Sequence, residues 1–426
     1  MVFHESFLIG AATAAHQVEG NNIHSDLWVM ENVPHSTYKE PSLDAVDHYN
    51  RYREDIRLMK EAGLNAYRFT IEWARVEPEE GQFEAKEIDH YREKLLYCHE
   101  MGITPIVTLH HFSSPFWLTK DGGWENEATV ERFANYVAYV IKALGEQIPY
   151  ICTINEANMG VQITKLIERM KKGAGQGSQV QVGLNTDIQE NMMLYYKELG
   201  EAFGTDPLNI HEFVSPKTPK GNEIILAAHQ RAREVIKAIR PEIKVGITLS
   251  LHDNQALPGG EGHVEKAYQE DFHDFLPALQ EDDFIGLQNY SRQIFDENGM
   301  KPLEETARKT KMGYEFYPEA IGNVVRYVSN YWSKEIMVTE NGISTANDEE
   351  RKEYIERALV GIHDCIKAGI PVSGYMHWSL LDNFEWQLGY SQTFGLIAVD
   401  RTTQKRLPKE SLYFLGSYKK DVAHEH

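Results

Sequence analysis

Two glutamates stand out by their company. Glu156 lies in ICTINEAN and Glu340 in IMVTENG; each follows a short apolar, β-branched run and each has an asparagine beside it, Asn155 and Asn341. A carboxylate at the end of a buried strand costs stability unless it is paired. Two of them together suit the cleavage of a glycosidic bond, where one protonates the leaving oxygen and the other captures the sugar. Carboxyl groups about 5–5.5 Å apart imply retention of configuration, and a gap of about 6.5–9.5 Å implies inversion. The two glutamates are 184 residues apart in the chain, so only a closed fold can bring them together. Neighbouring strand residues point to opposite faces, so both members of an Asn/Glu pair reach one pocket only where the chain turns.

Other residues fit the same chemistry. Arg68 in NAYRFTI and Tyr290 in GLQNYS can hold a nucleophilic carboxylate ionised, by charge and by hydroxyl hydrogen bond. The acid of the pair needs the reverse, a raised pKa. His110 and His111 adjoin, so their side chains diverge; one is expected in the pocket as a hydroxyl-binding group. No HxxxH or carboxylate companion makes them a metal pair. The segment HWSLLDNFEWQLGYSQTFG from His377 mixes indole rings with Asp382, Asn383 and Glu385. Indoles cover the apolar face of a sugar while carboxylates and amides take its hydroxyls.

Eight short apolar runs can position these groups: FLIGAATA from Phe7, LNAYRFTI from Leu64, ITPIVTLH from Ile103, YICTI from Tyr150, KVGITLSL from Lys244, FIGLQNY from Phe284, EIMVTE from Glu335 and VSGYMHWS from Val372. Continuous apolar runs fit strands buried on both faces. Helical stretches alternate with them: HYNRYREDIRLMKEAG stops at a glycine, EIILAAHQRAREVIKAIR before Pro241, and DEERKEYIERALVGIHDCIKAG at Gly369. The pattern predicts an α/β fold, one (β/α)8 TIM barrel over residues 1–426 with its chemistry at the carboxyl ends of the strands. Those ends carry Gln17, Arg68, His110, His111, Asn155, Glu156, Tyr290, Glu340 and Trp378. A doubly wound open sheet is the competitor, but no Gly-rich phosphate loop follows an early strand. The Gly/Gln-rich stretch KKGAGQGSQVQVGLN, near 171–185, reads as a mobile active-site loop.

Composition narrows the partners. With 42% apolar and 25% charged residues the chain is globular, and its net charge of −21 opposes nucleic acid and anionic lipid. A small, neutral saccharide or glycoside fits better, with no cofactor and no metal. Three cysteines, Cys98, Cys152 and Cys365, form no CxxC, which suggests a reducing, cytoplasmic setting. The start MVFHESFLIGAATAAHQ has no positively charged n-region, so no signal peptide is expected, and no run approaches membrane-spanning length.

Together the motifs resemble family 1 glycoside hydrolases, the β-glucosidase-like retaining enzymes, from Phe7 to about Phe414. FLIGAATAAHQVEG, NAYRFTIEWARVEP, TLHHFSSP, TINEAN, DFIGLQNYS, VTENG and WSLLDNFEW stand in the family's order. The resemblance implies Glu340 as nucleophile and Glu156 as acid/base. It implies Gln17, His111, Asn155, Trp378, Glu385 and Trp386 as sugar-holding residues, with Tyr290 and Arg68 around the nucleophile. It implies cleavage of β-glucosides, β-galactosides and β-fucosides. Five positions depart from the family: Ile9 for an aromatic, Ala157 for a proline, Phe112 for a tryptophan, Tyr314 for a leaving-group-side tryptophan, and Gln288 for an asparagine; the stretch MGVQITKLIERMKKGAGQGSQ also differs from the family's glycine-rich, histidine-bearing loop. Two readings of other classes compete, a sugar-binding barrel without catalysis and a metal-dependent barrel hydrolase.

Overall fold

The computed structural model describes Met1 and residues 3–172, 180–186 and 191–419. Eight parallel strands close on themselves: β1 (Leu8–Ala12), β2 (Ala66–Thr70), β3 (Thr104–Thr108), β4 (Tyr150–Cys152), β5 (Lys244–Ser250), β6 (Phe284–Gln288), β7 (Glu335–Asn341) and β8 (Val372–Trp378). Each pairs with its neighbours in sequence, and β1 seals the barrel by pairing Leu8–Ala12 with Gly374–Trp378. All eight lie where the apolar runs predict them. Burial on both faces explains why these strands read as continuous rather than alternating apolar runs.

Helices cover the outside and set the strand ends in place. His48–Ala62 stops at Gly63, which takes a left-handed φ of 98° that costs glycine nothing. Asp348–Lys367 starts at Asn347, whose side chain accepts from the Glu349 N–H, and carries three acidic residues in its first turn against the positive end of the helix dipole. The helix expected from Glu223 starts earlier, at Pro219. Thr218 caps it through the Gly221 N–H, and a proline at the first helical position loses no hydrogen bond there.

Two additions have no counterpart among the predicted strands. A three-stranded sheet joins Asp253–Ala256, Arg292–Asp296 and Gly299–Met300, outside the ends of β5 and β6, and a hairpin pairs Ile397–Asp400 with Lys405–Pro408. Both are short and rich in polar residues, so they lack an apolar signal. Among the described residues no helix is long and apolar enough to cross a membrane, and Cys98, Cys152 and Cys365 are buried and unbridged.

Candidate active site

The two glutamates meet at the carboxyl end of the barrel, 3% and 4% exposed. They arrive by different routes. β4 ends at Cys152, earlier than the YICTI run suggests, and the chain then turns with Glu156 at a left-handed φ of 46°. The Glu156 N–H donates to Thr248 Oγ1 (2.8 Å) and the Asn155 N–H to the His110 carbonyl (2.8 Å), which pin the turn to β5 and to the end of β3. Asn155 and Glu156 therefore both face the pocket. Glu340 stays within β7, and there alternation holds. Asn341 points away, donating to the Asn289 carbonyl (2.7 Å) and accepting from Tyr375 Oη (3.0 Å).

One guanidinium ties the two sides together. Arg68, fully buried in β2, donates from Nη1 to Glu340 Oε1 (2.8 Å) and from Nη2 to Asn155 Oδ1 (2.6 Å). Tyr290 Oη donates to the other Glu340 oxygen (2.6 Å). His111 Nε2 stands 4.0 Å from Glu340 Oε1, while His110 turns away to Ser114 Oγ (2.9 Å) among the rings of Trp124 and Phe213. The adjacent histidines diverge, as strand geometry requires.

These contacts separate the two carboxyl groups electrically. Burial pushes Glu156 well above the usual carboxylate range, and the negative charge of Glu340 adds to the push; the Gln288 hydrogen bond works against both. Burial raises Glu340 above the usual carboxylate range too, but less far, because the charge of Arg68 and the hydrogen bonds of Tyr290 and Arg68 oppose it. Two nearby carboxyl groups with one cation between them hold one proton more readily than none, and it belongs on Glu156. Burial, then the charge of Arg68, keeps the His111 imidazole neutral.

Beside the pair lies an aromatic and polar wall. His111 sits 5.7 Å from the Trp378 ring and 5.8 Å from that of Trp386, and the Trp378–Ser379 bond is cis. Gln17 Nε2 donates to the Phe384 carbonyl (2.6 Å) and so faces the same segment. Glu385 is 4% exposed; burial, then Glu340, lifts its carboxyl to about 8. Four side chains here each keep one buried polar atom with no hydrogen-bond partner among the described residues: Gln17 Oε1, His111 Nδ1, Asn155 Nδ2 and Glu385 Oε2.

The structure brings Gln17, Arg68, His111, Asn155, Glu156, Tyr290, Glu340, Trp378, Glu385 and Trp386 together but not His110, and three more residues join them. Gln288 Nε2 donates to Glu156 Oε1 (2.8 Å), while its Oε1 accepts from Thr339 Oγ1 (3.2 Å), next to Glu340. Gln181 accepts from the Tyr290 N–H (2.7 Å) and donates to Ser250 Oγ (2.8 Å). The Gly183 N–H donates to Glu385 Oε1 (3.1 Å). A Cβ on Gly183 would lie 2.5 Å from the Glu385 carbonyl oxygen, so this approach admits only glycine. Of the stretch 171–185 expected to form an active-site loop, residues 180–185 lie against the site. Gln181, Gly183 and Asn185 all bind the site wall, Asn185 through its N–H to Gln387 Oε1 (2.8 Å). Residues 173–179 of that stretch lie outside the described residues.

The model of glycosyl hydrolase family 1 matches residues 1–179 and 274–423. The chain belongs to glycosyl hydrolase family 1. It is a glycoside hydrolase acting on O-glycosyl bonds. A β-glucosidase from Agrobacterium sp. is 30% identical over 96% of this chain and 93% of that protein. The crystal structure of β-glycosidase BGL167 is similar with a TM-score of 0.89 at 43% identity, covering 98% of this chain and 97% of that one. The β-glucosidase from Thermotoga maritima in complex with cyclophellitol gives a TM-score of 0.79 at 28% identity over 98% of both chains. Among the described residues no group of three or more His, Cys, Asp or Glu is placed to hold a metal ion.

Proposed function

We propose that this family member is a retaining, exo-acting β-glycosidase that cleaves small β-linked glycosides by double displacement. The observation that carries the reading is the set of unsatisfied atoms around the glutamates. An amide oxygen (Gln17), an imidazole nitrogen (His111), an amide nitrogen (Asn155) and a carboxyl oxygen (Glu385) converge beside two indoles. Sugar hydroxyls both donate and accept, so one pyranose ring can satisfy all four while a ring face lies on an indole.

In this reading Glu156, carrying its proton, delivers it to the glycosidic oxygen as the bond to C1 breaks. Glu340, held ionised by Arg68 and Tyr290, attacks C1 from the opposite face. Glu156, now a carboxylate, takes a proton from the water that releases the sugar, and Glu340 is freed. A barrel that binds sugar without turnover would need neither a protonated Glu156 nor an arginine spent on Glu340.

Glu385 has two oxygens, one fixed by Gly183 and one unsatisfied. That oxygen can follow O4 in either the gluco or the galacto orientation. A substrate lacking the 6-hydroxyl loses a hydrogen bond and also escapes its desolvation. β-Glucosides, β-galactosides and β-fucosides are therefore all substrates. β-Mannosides are poorer, because a misplaced 2-hydroxyl forfeits contacts that strengthen in the transition state. The Agrobacterium relative is named a β-glucosidase, and the Thermotoga maritima β-glucosidase has been solved with deoxynojirimycin; both support β-glucosides as the first choice. NMR of the first-formed sugar is the direct test: the β-anomer appears first, and initial α-anomer would overturn retention. A panel of aryl β-glycosides compared by kcat/KM tests breadth, which fails if only one of the three sugars is cleaved above background.

A further inference from the structure

Outside the ends of β5 and β6 lie two abutting cavities, the inner one walled by Tyr314, on whose hydroxyl the charges of Glu385 and Glu156 act. The inner one, about 230 Å³, is lined by Gln181 and Tyr314; the outer one, about 360 Å³, shares His252, Gln293 and Met300 with it. Gln181 binds the backbone of Tyr290, which itself holds Glu340, so the inner cavity begins one residue from the proposed nucleophile. The cations of the two cavities differ. In the inner one Arg292 is spoken for by Glu315, with two contacts of 2.7 Å, and Lys301 by Glu304 (2.9 Å). In the outer one the helix Met159–Lys171 presents Gln162, Lys165 and Arg169 at spacings of three and four, hence on one face. Lys165 is paired with Glu270 (2.9 Å) and Asp271 (2.8 Å). Arg169 has no carboxylate within ion-pairing distance among the described residues; its guanidinium rests on the Met300 sulfur at 3.2 Å. Glu168 on the same rim is exposed, so water screens it.

A second, independent feature points to a ligand. His252 is 93% buried (7% exposed), lines both cavities, and its ring makes no hydrogen bond among the described residues. The side chain of Gln162, 4% exposed, also leaves its Oε1 unsatisfied beside it. Burial holds the His252 ring neutral, its pKa down at about 3, and Arg169 and Lys165 push the same way, so the field at this ring is positive. Asp271 and Glu270, held by Lys165, act on Arg169 only through space, and a partly buried guanidinium without a carboxylate in direct contact is costly unless a ligand pairs with it.

We infer that the outer cavity, built on Arg169 and His252, is a binding site for an anionic group, a carboxylate or phosphate, carried at the far end of the leaving group. The site rests on the glycosidase reading, since it names the leaving group of that reaction. Its test is a pairwise comparison of kcat/KM on neutral cello-oligosaccharides of two, three and four units and on their aldonates, in which the reducing end is oxidised to a carboxylate. A chain of net charge −21 without such a site would disfavour the aldonate at every length. With it, the aldonate is preferred about tenfold at the length that reaches Arg169, as one charge-assisted hydrogen bond allows, and the preference shrinks as salt is raised. In Arg169→Gln the ratio falls to one or below; Arg169→Lys restores part of it. Inorganic phosphate competes with the aldonate but not with the neutral parent. A wild-type ratio at or below one at all three lengths overturns the proposal, as does a preference that survives in Arg169→Gln. Failure of the glycosidase reading would show separately, as no turnover of the neutral oligosaccharides or of an aryl β-glucoside.

Discussion

On one side of the two glutamates the cleft wall is knit to the barrel; on the other it is assembled from late loops. Gln17, Arg68, His111 and Asn155 sit on or just beyond the strands β1 to β4, and Glu385 is held by a backbone N–H and by the tight approach of Gly183. The outward side is walled instead by Gln181, Tyr314 and a small sheet that leaves the barrel after β5 and β6. The sugar side spends most of its polar atoms on fixing geometry and, besides Arg68 Nε, leaves four without a partner among the described residues. The outward side leaves a whole arginine and a histidine ring. In the proposed reading, the wall set by strands recognises one ring and the wall set by insertions selects what is attached to it.

The largest expected effects divide along this line. Glu340→Ala removes the proposed nucleophile, and kcat should fall by on the order of 10⁴-fold or more whatever the leaving group. Glu156→Ala removes the proposed proton donor, worth roughly 10²–10⁴-fold and needed only when the departing oxygen is a poor leaving group. Activated aryl glycosides should therefore retain much more activity than disaccharides. Azide should rescue both variants, giving the α-glycosyl azide with Glu340→Ala and the β-azide with Glu156→Ala. Equal losses on every leaving group would erase the distinction between the two carboxyl groups.

A smaller effect should stay on the sugar side. Gly183→Ala drives a methyl group against the Glu385 carbonyl at 2.5 Å and the Glu385 Cγ at 2.7 Å, so Glu385 must shift. Misplacement of a sugar-binding carboxylate by such an amount should lower kcat/KM about tenfold to a hundredfold. The factor should be the same for aryl and for saccharide leaving groups, because the lost contact lies on the ring they share. A factor that changed with the leaving group would mean that the two walls are not independent. A thermal melt within a few degrees of wild type would show that the loss is local.

How far the sequence reveals these walls differs in the same way. The eight strands are visible because each is buried on both faces and reads as an unbroken apolar run. The chemistry is visible at their ends because a charged or aromatic residue there has no packing reason to exist. Gln181 and Gly183 are hidden in a Gly/Gln-rich segment, whose composition signals a loop but not what it touches. The strands Asp253–Ala256 and Arg292–Asp296 are hidden because half-exposed polar strands leave no hydropathy pattern. The left-handed backbone at Phe112, Glu156 and Trp386 is hidden as well. Each is a non-glycine residue held in a costly conformation by tertiary contacts, and nothing local announces it. In the NEAN turn that conformation decides that asparagine and glutamate face one pocket, where alternation alone admits only one.

The smallest expected effect sits where the two walls meet. Gln288 appears in the sequence only as a departure from the family's asparagine, yet it bridges the carboxyl groups, donating to Glu156 at 2.8 Å and accepting from Thr339 beside Glu340. A hydrogen bond donated to a carboxylate favours its charged form, so Gln288 holds the pKa of Glu156 below the level that burial and Glu340 would set. Gln288→Leu removes that donor. The pKa of Glu156 should then rise, and because catalysis needs Glu156 protonated in the free enzyme, the alkaline limb of the kcat/KM profile should move to higher pH. The acid limb should hardly move, since Arg68 and Tyr290, not Gln288, hold Glu340 ionised. Loss of one such hydrogen bond is worth about 1 kcal/mol, so the shift should be somewhat under one pH unit. A limb that moved to lower pH, or an acid limb that moved with it, would show that Gln288 serves Glu340 rather than Glu156, and the outward wall would begin one residue later than drawn.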